Sequence, residues 1–102
     1  MNQAQLMAQV KKMQTEMARA QEELAATTVT GSAAGGQVTI EMTCDQRVTR
    51  VKLAADVVDP TDVETLEDVL LVAFNDAIEK ASEASQKRMS SVTGGMHIPG
   101  LM

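Results

Sequence analysis

The residues with the strongest claim to chemistry lie between positions 64 and 83, where Glu64, Glu67, Asp68, Asp76, Glu79 and Glu83 recur along one helical stretch. Paired carboxylates exchange protons or hold metals when further ligands complete them. Those ligands are missing: a di-iron helix needs Glu-x-x-His, and the only histidine, His97, lies beyond Gly94-Gly95. The six acids therefore read as a solvated helix face, and the first-turn acids Asp62 and Glu64 suit the positive end of a helix dipole. Cys44, the sole cysteine, shares the alternation of Val38, Ile40 and Met42, so it is expected in the core and not as a nucleophile. A single cysteine also excludes an intrachain disulfide or a cysteine-built zinc site. The glycines of GSAAGG, residues 31–36, lead into a strand and lack the helix N-terminus of a phosphate loop. With no HExxH and no nucleophile elbow, the sequence predicts no enzyme, no metal and no cofactor.

What remains is charge. The formal net charge of the 102 residues is -5, which taken alone argues against phosphate binding. Its distribution says otherwise. Residues 1–15 carry Lys11 and Lys12 against no acid, and residues 80–102 carry Lys80, Lys87 and Arg88 against Glu83. Between them, Arg19, Arg47, Arg50 and Lys52 face 13 acids. Both ends are basic and the middle is acidic.

The elements that position these charges follow from periodicity. Leu6, Val10, Met13, Met17, Ala20 and Leu24 recur at steps of 4 and 3, which predicts a first helix over about 2–26, with a spacing that also fits a coiled-coil seam. Strands are expected over about 27–54: TTVTGS, then QVTIEMTC with its clean alternation, then RVTRVKLA. AAGG and Asp45-Gln46 make the turns. Val48 breaks the alternation of Val51 and Leu53, which points to a bulge or to a buried second face there. Asp59-Pro60 ends the extended segment, and TDVE, Thr61 to Glu64, has the form of a capping box with Thr61 as the cap. A second helix is expected over about 62–92, with an apolar band from Val63 to Ala81 that thins afterwards, followed by a loose tail over 93–102.

One domain over 1–102 is expected, of α+β class. Its core is thin, since there is no Trp or Tyr and only one Phe, Phe74, and such a core gains from a second subunit. Helices of about 37 and 46 Å are too long for a compact body of about 13 Å radius of gyration, so their free tips should overhang. Those tips carry the basic segments. No signal peptide and no run of 18 apolar residues is present, so a soluble cytoplasmic chain without a membrane role is expected.

LEDVLLVAFNDAIEKASEASQKRMSSVTGGMHIPGLM, residues 66–102, resembles the C-terminal half of the YbaB/EbfC family of bacterial nucleoid-associated proteins. KKMQTEM, AQEEL and the strand ending in VTG are similar to the family too, so the likeness covers nearly the whole chain. The turn at Asp45-Gln46 stands where the family usually has a glycine. The resemblance implies an α-β-β-β-α subunit with a three-stranded antiparallel sheet, pairing into a tweezer-like homodimer whose projecting helices contact double-stranded DNA at the nucleoid. Other DNA-maintenance proteins would be further partners.

On this reading the DNA contacts are Lys11, Lys12, Arg19, Lys80, Lys87 and Arg88. Lys11 and Arg88 have no acidic neighbour one turn away. Asp76–Lys80, Glu83–Lys87 and the ladder Glu16–Arg19–Glu23 are spaced to pair, but such surface pairs are weak and phosphate competes for the cation. Without aromatic side chains near the tips, stacking on single strands is not expected, and few groups could read base edges. Weak sequence preference follows. The rival reading is an adaptor that docks a protein on its helical apolar stripe without touching DNA.

Overall fold

The computed structural model describes residues 2–93. Helix α1 spans Gln3–Ala26 and starts on a reciprocal cap: the Gln5 N–H donates to the Asn2 side chain at 2.8 Å, and the Asn2 N–H donates to the Gln5 side chain at 3.3 Å. It ends where Thr27 turns to extended backbone and its hydroxyl donates to the Glu23 carbonyl at 2.7 Å. Three strands follow, β1 (Thr28–Ala33), β2 (Val38–Thr43) and β3 (Val48–Leu53), then helix α2 (Val63–Thr93). The sheet is antiparallel throughout, in the order β1-β2-β3. This is the expected α-β-β-β-α order with two long helices.

Packing begins at a glycine. α2 lies across β1 and β2, and its Ala73, Ala77 and Ala81 are fully buried against Val38, Ile40 and Met42. Alanines let a helix approach closely, and Gly31 of β1 lets it touch. A Cβ there would lie 2.5 Å from the Ala73 carbonyl oxygen and 2.7 Å from the Ala77 Cα. Two polar contacts fix the same crossing. The Asp76 carboxylate accepts from the Ser32 N–H at 2.9 Å, while the Lys80 ammonium donates to the Thr30 carbonyl and to Asp76, both at 3.1 Å. The Ser32 N–H, then Lys80, hold the Asp76 carboxyl below the ordinary carboxylate range.

Cys44 is buried beside the core as expected, and its N–H donates to the Leu24 and Thr27 carbonyls. The bulge is present: Glu41 pairs with Arg50 but Met42 pairs with Val48, so Thr49 is the extra residue and Val48 returns to the face of Val51 and Leu53. Gln46 adopts φ 66, the left-handed conformation that glycine takes freely.

Three expectations are corrected. Thr61 does not cap α2; its hydroxyl donates to Asp59, and Asp62 accepts from the Thr65 N–H at 3.3 Å, because the helix starts one residue later than the TDVE pattern implies. The alternative of a buried second face on β3 at Val48 fails, since all six residues of the strand are exposed. The second half of α2 does not stand free either. Ala20 and Leu24 of α1 and Val92 of α2 are buried, so the last turns of α2 run antiparallel beside the second half of α1. What projects is the first half of α1. Residues 3–15 are exposed except for half-buried Met13, and they extend about 18 Å past the last described turn of α2. The chain accordingly measures 70 × 26 × 17 Å, with a radius of gyration of 19.6 Å. The expected tail over 93–102, with Gly94-Gly95 and His97, lies outside the described residues from 94 onward.

Candidate nucleic-acid interface

α1 positions the cations of the arm by its 3.6-residue repeat. Lys11 and Arg19 line one shallow face with Gln14, Thr15, Ala18 and Glu22. Lys12 lies about 100° further round. Among the described residues, neither lysine nor Arg19 makes an ion pair within 4 Å. The arm thus presents uncompensated positive charge to solvent.

Arg88 sits differently. The sequence leaves it without an acidic neighbour on its own helix, but the antiparallel packing brings Glu23 of α1 to it, with Nε donating to the carboxylate at 2.7 Å. Its Nη1 donates to the Ser91 hydroxyl at 2.8 Å. The hydrogen bond from Arg88, then the guanidinium charge, holds the Glu23 carboxyl below its usual range, and Glu23 raises Arg88 in return. Arg19 and Arg88 share the walls of one notch with Glu16, Ser91 and Val92.

Lys80 belongs to the base instead. It is tied to Asp76 and to β1, about 12 Å along α2 from Arg88. Lys87 is exposed, and the expected Glu83–Lys87 pair is not among the ion pairs of the described residues. The i,i+4 pair Asp76–Lys80 is present, whereas Glu23 turns from the Arg19 ladder to Arg88. The residues missed by sequence reasoning are Glu23 and Ser91 as partners of Arg88, and Ser32 as partner of Asp76. No spacing within one helix signals a contact 65 residues away.

The apolar counterpart lies on the other elements. Val48, Val51 and Leu53 occupy the sheet face that carries the core, yet they are 41%, 46% and 38% exposed because α2 covers β1 and β2 only. Leu71, Val72 and Ile78 of α2 are exposed too. Among the described residues there is no group of three His, Cys, Asp or Glu side chains that could hold a metal, and no helix is long and apolar enough to cross a membrane.

The described residues thus combine a sheet with one uncovered apolar edge and a projecting basic arm. Residues 1–96 match the model of the YbaB/EbfC DNA-binding family, and the chain belongs to that family. A nucleoid-associated protein of Chloroflexus aurantiacus (strain ATCC 29366 / DSM 635 / J-10-fl) is 49% identical over 96 residues, covering 94% of this chain and 96% of its own. One of Roseiflexus sp. (strain RS-1) is 48% identical over 100 residues, covering 98% and 99%. The crystal structure of an uncharacterized protein from Helicobacter pylori shares the fold, with a TM-score of 0.73 at 20% identity over 94% of this chain and 97% of that one. Family membership gives the chain a binding role and not an enzymatic one.

Proposed function

We propose that the protein is a homodimeric nucleoid-associated protein that binds duplex DNA through the basic arms of its two chains, in the cytoplasm of a bacterium. The observation that carries this reading is the arm: residues 3–15 of α1 stand clear of the body with Lys11, Lys12 and no acid. Arg19 shares a face of α1 with Lys11, and exposed Lys87 of α2 is the fourth proposed contact. If these four cations reach phosphate in both chains, log K should fall with log salt at a slope of about -7. Relatives described as nucleoid-associated proteins support the reading.

Dimerisation is supported by the apolar face of the sheet that the chain leaves uncovered, where Val48, Val51 and Leu53 of β3 are exposed. The apolar face of β3 with the neighbouring exposed face of α2 is the surface a second chain would cover, leaving both arms free. The acidic middle would keep the duplex at the arms. Contacts of this kind go to phosphate, so sequence preference is weak.

Exposed Leu6 and Val10 on the same arm favour a second reading, an adaptor that docks a protein by its apolar stripe. Duplex titrations at low and high salt, with the oligomer mass measured alongside, separate the two. Steep salt dependence supports DNA binding, and salt-independent capture of a protein with no duplex binding overturns it.

A further inference from the structure

Where the last turns of α2 lie against α1, a notch of about 230 Å³ is lined by Glu16, Arg19, Arg88, Ser91 and Val92. A guanidinium carries five N–H donors in a planar fork that fits carboxylate and phosphate alike. Arg88 gives its Nε to Glu23 and its Nη1 to Ser91, while the Ser91 hydroxyl spends its own proton on the Arg88 carbonyl at 2.7 Å. Ser91 therefore holds the fork in place and adds no competing donor. Arg19, on the opposite wall, makes no ion pair among the described residues.

Resting on the DNA-binding reading above, we infer that this notch is a receptor for one backbone phosphodiester of the duplex, and that the Glu23 carboxylate, bonded to Arg88 beside the notch, competes for that guanidinium in the free chain, while Glu16 on the notch wall adds to the opposition. A phosphodiester and a carboxylate carry the same single charge and offer the same pair of acceptor oxygens, so one replaces the other without a change in net charge. A phosphodiester in the notch can hydrogen-bond Arg19 as well as Arg88, where the Glu23 side chain, among the described residues, is hydrogen-bonded to Arg88 and feels Arg19 only through its charge. Release of Glu23 is easy, because its side chain is 51% exposed and an ion pair so open to water is weakly held. Lys11 and Arg19 share one face of α1, so with Arg88 unmasked the cations form a track from the arm into the angle between the helices. Glu23 thus sets the affinity of the free chain below what its cations could deliver.

The test uses the full chain and a short mixed-sequence duplex, with binding followed by fluorescence anisotropy across a salt series for wild type, Glu23→Gln, Arg88→Gln, the double variant and Glu79→Gln. Glu23→Gln is expected to bind about three- to tenfold more tightly at low salt, with a salt slope steeper by about 0.9 for each notch unmasked. Arg88→Gln should cost little in the wild-type background and abolish the gain in the Glu23→Gln background. Glu79→Gln removes the same charge elsewhere on α2 and should give a smaller gain. The notch is overturned if Glu23→Gln binds as wild type does, if its gain survives Arg88→Gln, or if Glu79→Gln gains as much. Loosening of the helix pair is told apart by Arg88→Gln, which breaks the same ion pair and should not tighten binding. Wild type failing to bind duplex in a salt-dependent way sinks the DNA-binding reading together with the notch, whereas normal wild-type binding with an unchanged Glu23→Gln variant sinks the notch alone.

Discussion

The base of the molecule and its arm are built on opposite terms. At the base, α2 meets β1 backbone to backbone through Gly31, Ala73 and Ala77, with Asp76 and Lys80 bonded to β1 on the same crossing. On the arm, residues 3–15 of α1 pack on little among the described residues and keep their shape through helix hydrogen bonds and the Asn2–Gln5 cap. Substitutions should therefore separate cleanly: base residues should change stability, and arm residues should change binding.

The largest break should come at Gly31. Gly31→Val drives a branched side chain into the α2 backbone, which no rotamer relieves, and should cost about 3 kcal/mol or more. Thermal denaturation should show a fall of about 15 °C or a chain that no longer folds. Next comes the sheet edge, where Val51→Asp would bury a charge in the proposed dimer face. The dimer should dissociate about a hundredfold more readily, read by sedimentation, while each chain keeps its helix content. On the arm, Lys11→Glu with Lys12→Glu should leave the melting temperature within about 1 °C, since surface substitutions cost little. The same variant should bind duplex weakly and flatten the salt slope by about 3 to 4 for the dimer.

Acid should affect the base through Asp76. Its carboxyl is held below the ordinary range, so it stabilises the fold above the unfolded pKa of about 4, and that contribution is lost as pH falls through the lower folded value. Asp76→Asn should flatten this acid limb of the melting curve. The smallest effect is expected at Gln46, where φ is 66. Gln46→Gly should stabilise by about 1 kcal/mol or less, as relief of left-handed strain is partly offset by glycine's entropy.

Sequence reading reached the element order, the alternation that buries Val38, Ile40 and Met42, and the irregularity at Val48, because each is written in spacings of a few residues. It also reached the bare lysines of the arm. It placed Thr61 in the wrong capping role because Asp62, next to it, has the same competence for the cap. It left Arg88 unpaired because a carboxylate from another helix enters only with the tertiary packing. The uncovered face of β3 was hidden for a related reason: alternation tells which side of a strand is apolar, not whether the single chain supplies the cover.

The contact at Gly31 sets the aim of the arm. With main chain resting on main chain and Asp76 and Lys80 bonded to β1 on the same crossing, the joint resists a change in tilt, and α1 runs straight into the strand that α2 presses on. In the proposed dimer the aperture between the two arms would then depend on how far each rod extends, so a wider object would call for a longer rod and not a splayed one.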